Sequence, residues 1–70
     1  MHLLYQMMLK VEIKTGGAAF RDTYSGEEND VAEAMECARL LRKIAKQMED
    51  GAKEGPVMDL NGNKVGRWSL

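Results

Sequence analysis

The first part of the chain alternates apolar and polar positions in the manner of a half-buried β-strand. Between residues 3 and 14, every odd-numbered residue is apolar or aromatic, whereas the last even-numbered residues are Lys10, Glu12 and Lys14. Since successive side chains of a strand point to opposite faces, the pattern predicts a strand over residues 3–13. Its odd-numbered face is expected to meet the core, and its even-numbered face is expected to meet water.

Residues 15–29 lack any sustained period and contain two adjacent glycines together with Asp, Ser and Asn. This composition predicts a loop. Phe20 is the single phenylalanine of the chain, and we expect it to hold the loop against the core.

A helix is predicted from Asp30 to about Asp50. Asp30 and Glu33 have the spacing of a capping box, and Gly51 supplies a stop. The first turns are rich in acids and the later turns in bases, an order that suits the helix dipole.

Advancing about 100° per residue gives this helix an apolar arc of roughly 200°, which is wider than one sheet needs. We expect the side facing the sheet to be Val31, Ala34, Met35, Ala38, Leu41, Ala45 and Met48. Cys37, Leu40 and Ile44 widen the arc. Two interpretations compete: Phe20 and its loop cover the extra width, or Cys37, Leu40 and Ile44 form a partner surface, most simply of a two-fold homodimer.

The C-terminal segment predicts a β-hairpin around Asn61-Gly62. A two-residue turn would pair Met58 with Val65. Alternatively, residues 59–62 form a type I turn with a left-handed Gly62 in a bulge. We expect Val65 and Leu60 to face inward, and Trp68 to lie on the other face, at least partly exposed.

These elements predict one α+β domain, residues 1–70, with the order β-α-β-β. The expected sheet has three antiparallel strands, with the third strand between the first and the second. The helix packs on one face, and the other face meets solvent. So small a core gives limited stability, which oligomerisation would increase.

Composition removes most functions of small proteins. The 70 residues carry 10 Lys and Arg against 11 Asp and Glu, for a formal charge of −1. One cysteine excludes an intrachain disulfide framework, and one cysteine with one histidine cannot form a Cys/His zinc site from a single chain. No Lys or Arg precedes Lys10, and no apolar run is long enough to span a bilayer. We therefore expect a cytoplasmic protein without membrane contact.

Candidate chemistry is sparse. His2 lies at a terminus, and Cys37 has no histidine positioned to activate it. Gly16-Gly17 lacks the remainder of a phosphate-binding loop, and residues 59–63 lack the glutamate of a calcium loop. We expect no catalytic, cofactor-binding or metal-binding residue, and no enzyme.

Three segments together resemble small proteins predicted in bacterial genomes, prophages and phages: KVEIKTGGAAF (10–20), ARLLRKI (38–44) and DLNGNKVG (59–66). The resemblance covers the chain from about residue 9 onward, and the last segment is its most specific part. It implies a phage or mobile-element accessory origin, and it carries no established activity.

Two functional hypotheses follow. The first is a non-enzymatic protein-interaction module, a homodimer in its simplest form, with Cys37, Leu40, Ile44 and Trp68 at the interface. The alternative is a nucleic-acid-binding accessory protein whose helix tracks a phosphate backbone. Its contact residues would be Arg39, Arg42, Lys43 and Lys46, a basic cluster that is bordered by acids.

Overall fold

The computed structural model describes residues 7–21 and 30–70, without the side chain of Asp30. The fold is α+β. Strand β1 (Lys10–Ile13) is followed by a 3-10 turn (Ala18–Phe20), helix α1 (Asp30–Glu49), strand β2 (Glu54–Met58) and strand β3 (Lys64–Ser69). The predicted β-α-β-β order is thus confirmed.

The three strands form one antiparallel sheet in the order β1-β3-β2. The predicted central position of the third strand is confirmed. The first strand is shorter than predicted, because residues 7–9 are not in a strand. Residues 3–6, which the alternation also assigns to this strand, lie outside the described part of the chain.

Cross-strand pairing identifies the face of the sheet that meets the helix. Val11 is opposite Trp68, and Ile13 is opposite Gly66, which is also opposite Val57. Directly opposite residues share a face, so these side chains lie together on the helix side. Lys10, Glu12 and Lys14 are exposed, as their alternation predicts.

The apolar core lies between this face, the 3-10 turn and the helix. Its buried members are Phe20, Leu40, Ile44, Val57 and Trp68. Phe20 holds its turn against the core, as expected, and the 3-10 turn gives the predicted loop some local structure.

The helix ends through backbone hydrogen bonds around Gly51. The Gly51 N–H donates to the Met48 carbonyl at 3.0 Å, and the Ala52 N–H donates to the Gln47 carbonyl at 2.9 Å. This pair of bonds is a Schellman motif, so the predicted stop at Gly51 is confirmed. The predicted cap by the Asp30 side chain lies outside the described residues.

The turn of the hairpin is the second of the two predicted ones, whereas the ladder from Glu54 to Val57 has the register of the first, with Val57 opposite Gly66. The Gly62 N–H donates to the Asp59 carbonyl at 3.0 Å, and Gly62 has φ +82°. Only glycine adopts this backbone region without strain. Met58 pairs with Lys64 rather than with Val65, and the ladder is irregular between Val57 and Met58.

Two expectations about the hairpin are wrong. Trp68 is fully buried instead of partly exposed, and Leu60 is 68% exposed instead of inward-facing. The cause is the pairing of Val57 with Gly66, which turns the Trp68 face of β3 toward the helix. Val65, one pleat away from Gly66, is half-buried.

Candidate functional site

The helix presents to the sheet the stripe that was expected to meet a partner. Leu40 and Ile44 are 1% and 4% exposed within the single chain, Trp68 is fully buried, and Cys37 is half-buried against the same core. The expectation that these four residues form an exposed partner surface is therefore corrected: they pack inside the monomer. The helix has two apolar stripes, and periodicity alone does not tell which of them faces the sheet.

The second apolar stripe of the helix is mostly exposed, although two of its residues, Ala38 and Met48, are half-buried. Its residues recur at intervals of three and four, the spacing of helices that pack along a shared seam. We call it the heptad stripe, and it comprises Val31, Ala34, Ala38, Leu41, Ala45 and Met48. The expectation that this side packs on the sheet is wrong for its exposed residues, Val31, Ala34, Met35, Leu41 and Ala45. Ala38 is half-buried, and Met48 packs against the core.

The heptad stripe combines exposed apolar side chains with small ones. Val31 is 66% exposed and Leu41 is 49% exposed, while Ala34 and Ala45 are also exposed. Met35, which borders the stripe, is 67% exposed. Alanines along a helix face let another helix approach closely, and an exposed apolar patch of this kind is a candidate interaction surface.

Polar contacts tie the helix to the hairpin in the rotation that leaves the heptad stripe exposed. The Glu36 carboxylate accepts two hydrogen bonds from the Arg39 guanidinium, at 2.7 and 2.8 Å, and a third from the Leu60 N–H at 2.9 Å. The Arg39 bonds lower the pKa of Glu36, against the opposing effect of burial. Glu36 is thus a buried, satisfied carboxylate that ties the helix to the hairpin turn.

The turn is held by a second carboxylate. Asp59 is buried, and its Oδ1 accepts hydrogen bonds from the N–H groups of Asn61 and Asn63, both at 2.9 Å. The resulting local loop explains the Asp-x-Asn-Gly-Asn sequence by turn geometry. Within residues 7–21 and 30–70, no group of three or more potential ligands is arranged to hold a metal ion.

The far end of the helix is positioned by the tryptophan. The Trp68 indole Nε1–H donates to Gln47 Oε1 at 2.9 Å. This bond satisfies the one polar atom of a buried ring.

Cys37, one turn before Leu41, has a pKa that burial raises, with the Glu33 and Glu36 charges adding to the effect. A raised pKa keeps the thiol protonated and unreactive.

The basic residues of the helix are partly neutralised. Arg39 is paired with Glu36, and Lys46 lies 3.2 Å from Asp50. In the part of the chain that the structure describes, Arg42 and Lys43 are exposed and make no ion pair. Two of the four proposed nucleic-acid contacts therefore already have acidic partners.

The sheet contributes a broad depression of about 710 Å³ along β1 and β3, lined by residues 11–14 and 64–67. A cavity of about 30 Å³ between the helix and β2 holds no more than a water molecule. Neither place brings together a nucleophile, a base and an oxyanion donor. None of the described helices is long and apolar enough to cross a membrane.

The heptad stripe is therefore the strongest candidate site of the described residues, and sequence reasoning found its members while assigning them to the wrong partner. Comparison with protein-family models, with curated proteins and with solved structures finds no match to this chain. Its function is consequently inferred from the geometry of the helix surface.

Proposed function

We propose that this protein is a non-enzymatic interaction module that docks a helix of a protein partner on its heptad stripe. The observation that supports the proposal is the exposure of Met35 and Leu41, at 67% and 49%, on a helix whose other apolar stripe already fills the core. Burying such side chains against a partner removes apolar area from water, at about 25 cal/mol per Å².

The spacing of the stripe favours a helix as the docked element. Intervals of three and four residues place Ala34, Ala38, Leu41 and Ala45 in line along one side of the rod. A partner helix lying along this line packs its side chains between them. The rigid support comes from the neighbouring side of the helix, where Leu40 and Ile44 are anchored in the core.

Nucleic-acid binding is the alternative, and the ion pairs of Arg39 and Lys46 count against it. A backbone-tracking surface gains affinity from each cation that releases counterions from phosphate. Cations already paired with acids contribute less to such binding.

Site-specific photocrosslinking in the native host tests the proposal. A photoreactive amino acid replaces Ala45 in the stripe, and a matched control carries it at Lys43, which is exposed on another side of the same helix. We expect a protein adduct from position 45 and none from position 43. We also expect Leu41→Glu to abolish the adduct.

Three results would overturn the docking proposal: no adduct from position 45, equal adducts from both positions, or an adduct that survives Leu41→Glu. Retention of the purified protein on DNA, with steep loss as salt rises, would favour the alternative if Arg42→Glu and Lys43→Glu abolish it.

A further inference from the structure

We propose that the partner on the heptad stripe is a second copy of this chain, with the two helices antiparallel. This inference rests on the proposed function and adds the identity of the docked helix. Four properties of the described residues support it: the spacing of the stripe, its fit to itself, the charge order of the helix and the position of the sheet.

The heptad stripe contains both of the rows of side chains that meet between two paired helices. Its two kinds of heptad position are occupied by Val31, Ala38 and Ala45 in one row and by Ala34, Leu41 and Met48 in the other. In an antiparallel pair, the order of one helix reverses, so each row faces the other row of the second copy.

Reversal matches large side chains with small ones at the centre of the pair. Ala38 faces Leu41 of the second copy, and Ala34 faces Ala45 of the second copy. The two-fold symmetry produces each of these pairs twice. The outer layers pair Val31 with Met48. A two-fold axis through the helix midpoint generates all six layers, which is the isologous arrangement that dimers favour.

A parallel pair fits less well. It would stack Leu41 on Leu41 between layers of two alanines, so that a wide layer would alternate with narrow ones. Uneven layers leave voids beside the large side chains, and such voids cost stability. The antiparallel pair distributes the same volumes more evenly.

Charge also favours the antiparallel arrangement. The first half of the helix is net acidic, with Asp30, Glu33 and Glu36 against Arg39, and the second half is net basic, with Arg42, Lys43 and Lys46 against Glu49. An antiparallel pair places the basic half of one copy beside the acidic half of the other and opposes the two helix dipoles. A parallel pair would bring both basic halves together.

The sheet leaves room for a second copy. The side of the helix that bears Leu40 and Ile44 lies roughly a third of a turn away from the centre of the heptad stripe, at about 100° per residue. The sheet on that side leaves Val31, Ala34, Leu41 and Ala45 exposed, while Ala38 and Met48 are half-buried. Met35 lies beside the stripe and next to Arg42 of the second copy. The aliphatic part of that arginine side chain can cover Met35.

Sedimentation equilibrium of the purified full chain is the first test. We expect a mass near twice 7.8 kDa, and we expect Leu41→Glu to weaken association by about a hundredfold because it would bury an unpaired charge. Leu70→Glu, the same change at a side chain that is 64% exposed and outside the helix, is the matched control and should leave the dimer intact. A protein that stays monomeric at all concentrations overturns the inference. This holds if residues 1–6 of the same chain cover the stripe, and it holds equally if the stripe is left uncovered.

Disulfide trapping tests the orientation and does not depend on the glutamate variant folding. On a Cys37→Ser background, Ala34→Cys and Ala45→Cys are mixed and oxidised. We expect a mixed dimer and no dimer from either variant alone, because in the antiparallel pair like positions lie about 16 Å apart along the axis. Dimers from each variant alone, without the mixed one, overturn the antiparallel arrangement.

The two proposals fail in different ways. A monomeric purified protein that still gives a photoadduct with another protein at position 45 overturns self-pairing and leaves the docking proposal standing. Absence of the adduct in the host, together with a monomeric purified protein, overturns both.

Discussion

The Leu60 N–H donates a hydrogen bond of 2.9 Å to the Glu36 carboxylate, across 24 residues of sequence. The same carboxylate holds Arg39 on the helix surface. One buried side chain therefore joins the helix to the hairpin turn and helps to set the rotation of the helix. That rotation decides that Leu40 is buried and that Leu41 is exposed.

Replacing the carboxylate with an amide should destabilise the fold. Glu36→Gln loses the charge that strengthens the bonds to Arg39 and Leu60, and a buried group is left poorly satisfied. We expect a loss of about 2 kcal/mol in the free energy of unfolding, measured by urea denaturation at a fixed protein concentration. Glu49→Gln, at an exposed position, is the control and should change little. An equal effect of both variants would show that Glu36 has no special role.

Acid should remove the contribution of Glu36. Its pKa in the folded chain is below the usual value of 4.5, so the stabilisation is fully present above the pKa of the unfolded chain. It declines as the pH falls below about 4.5 toward the folded pKa. Urea midpoints measured from about pH 7 to about pH 3 should therefore converge for the natural chain and Glu36→Gln. A constant difference across that range would contradict this assignment.

Local signals predicted the elements of this fold, whereas long-range contacts decided how they face each other. The strand alternation around Val11, the stop at Gly51 and the turn at Gly62 are short-range effects, and each is confirmed. The order of the strands could be predicted because few arrangements of a β-α-β-β chain pair all three strands. The structure confirms that order.

The orientation of the helix was not predictable in the same way. Both of its stripes are apolar, and the choice between them depends on contacts of Glu36 with the turn and of Gln47 with Trp68. Those partners lie more than 20 residues away. Trp68 was misplaced because the irregularity between Val57 and Met58 leaves no short-range signal in the sequence. The candidate site follows from the same rotation and was assigned to the wrong stripe for that reason.

Loss of the acceptor for the Trp68 indole should destabilise the core. Gln47→Met keeps the approximate size of the side chain and leaves the buried Nε1–H without its 2.9 Å partner. We expect a cost of about 1–3 kcal/mol. Gln47→Glu retains an acceptor and should lose less. Thermal unfolding followed by tryptophan fluorescence measures both, and an unchanged midpoint for Gln47→Met would contradict the role of this bond.

Gly66 should not tolerate a side chain. A Cβ built at this position overlaps the Glu12 carbonyl, because β1 and β3 approach closely there. Gly66→Ala should therefore cost about 1–3 kcal/mol or separate β1 from β3. Gly16 is the control, since a Cβ there meets nothing within 4 Å. Hydrogen exchange of the β1 amides reports the separation directly, and full protection in Gly66→Ala would refute the expected clash.

Leu40 and Leu41 are adjacent in sequence, but substitution by alanine should destabilise the fold much more at Leu40 than at Leu41. Leu40 is 1% exposed, so Leu40→Ala leaves a cavity between helix and sheet and should lower the free energy of unfolding by about 2–5 kcal/mol. Leu41 is 49% exposed, so Leu41→Ala should cost the dilute monomer less than about 1 kcal/mol. If Leu41 lies in a dimer seam, its cost must grow with protein concentration, because association stabilises the folded state by mass action. Urea denaturation at two widely separated protein concentrations measures this growth. A cost for Leu41→Ala that is small and independent of concentration would place Leu41 outside any self-association surface, whereas a small cost for Leu40→Ala would mean that the two stripes are exchanged.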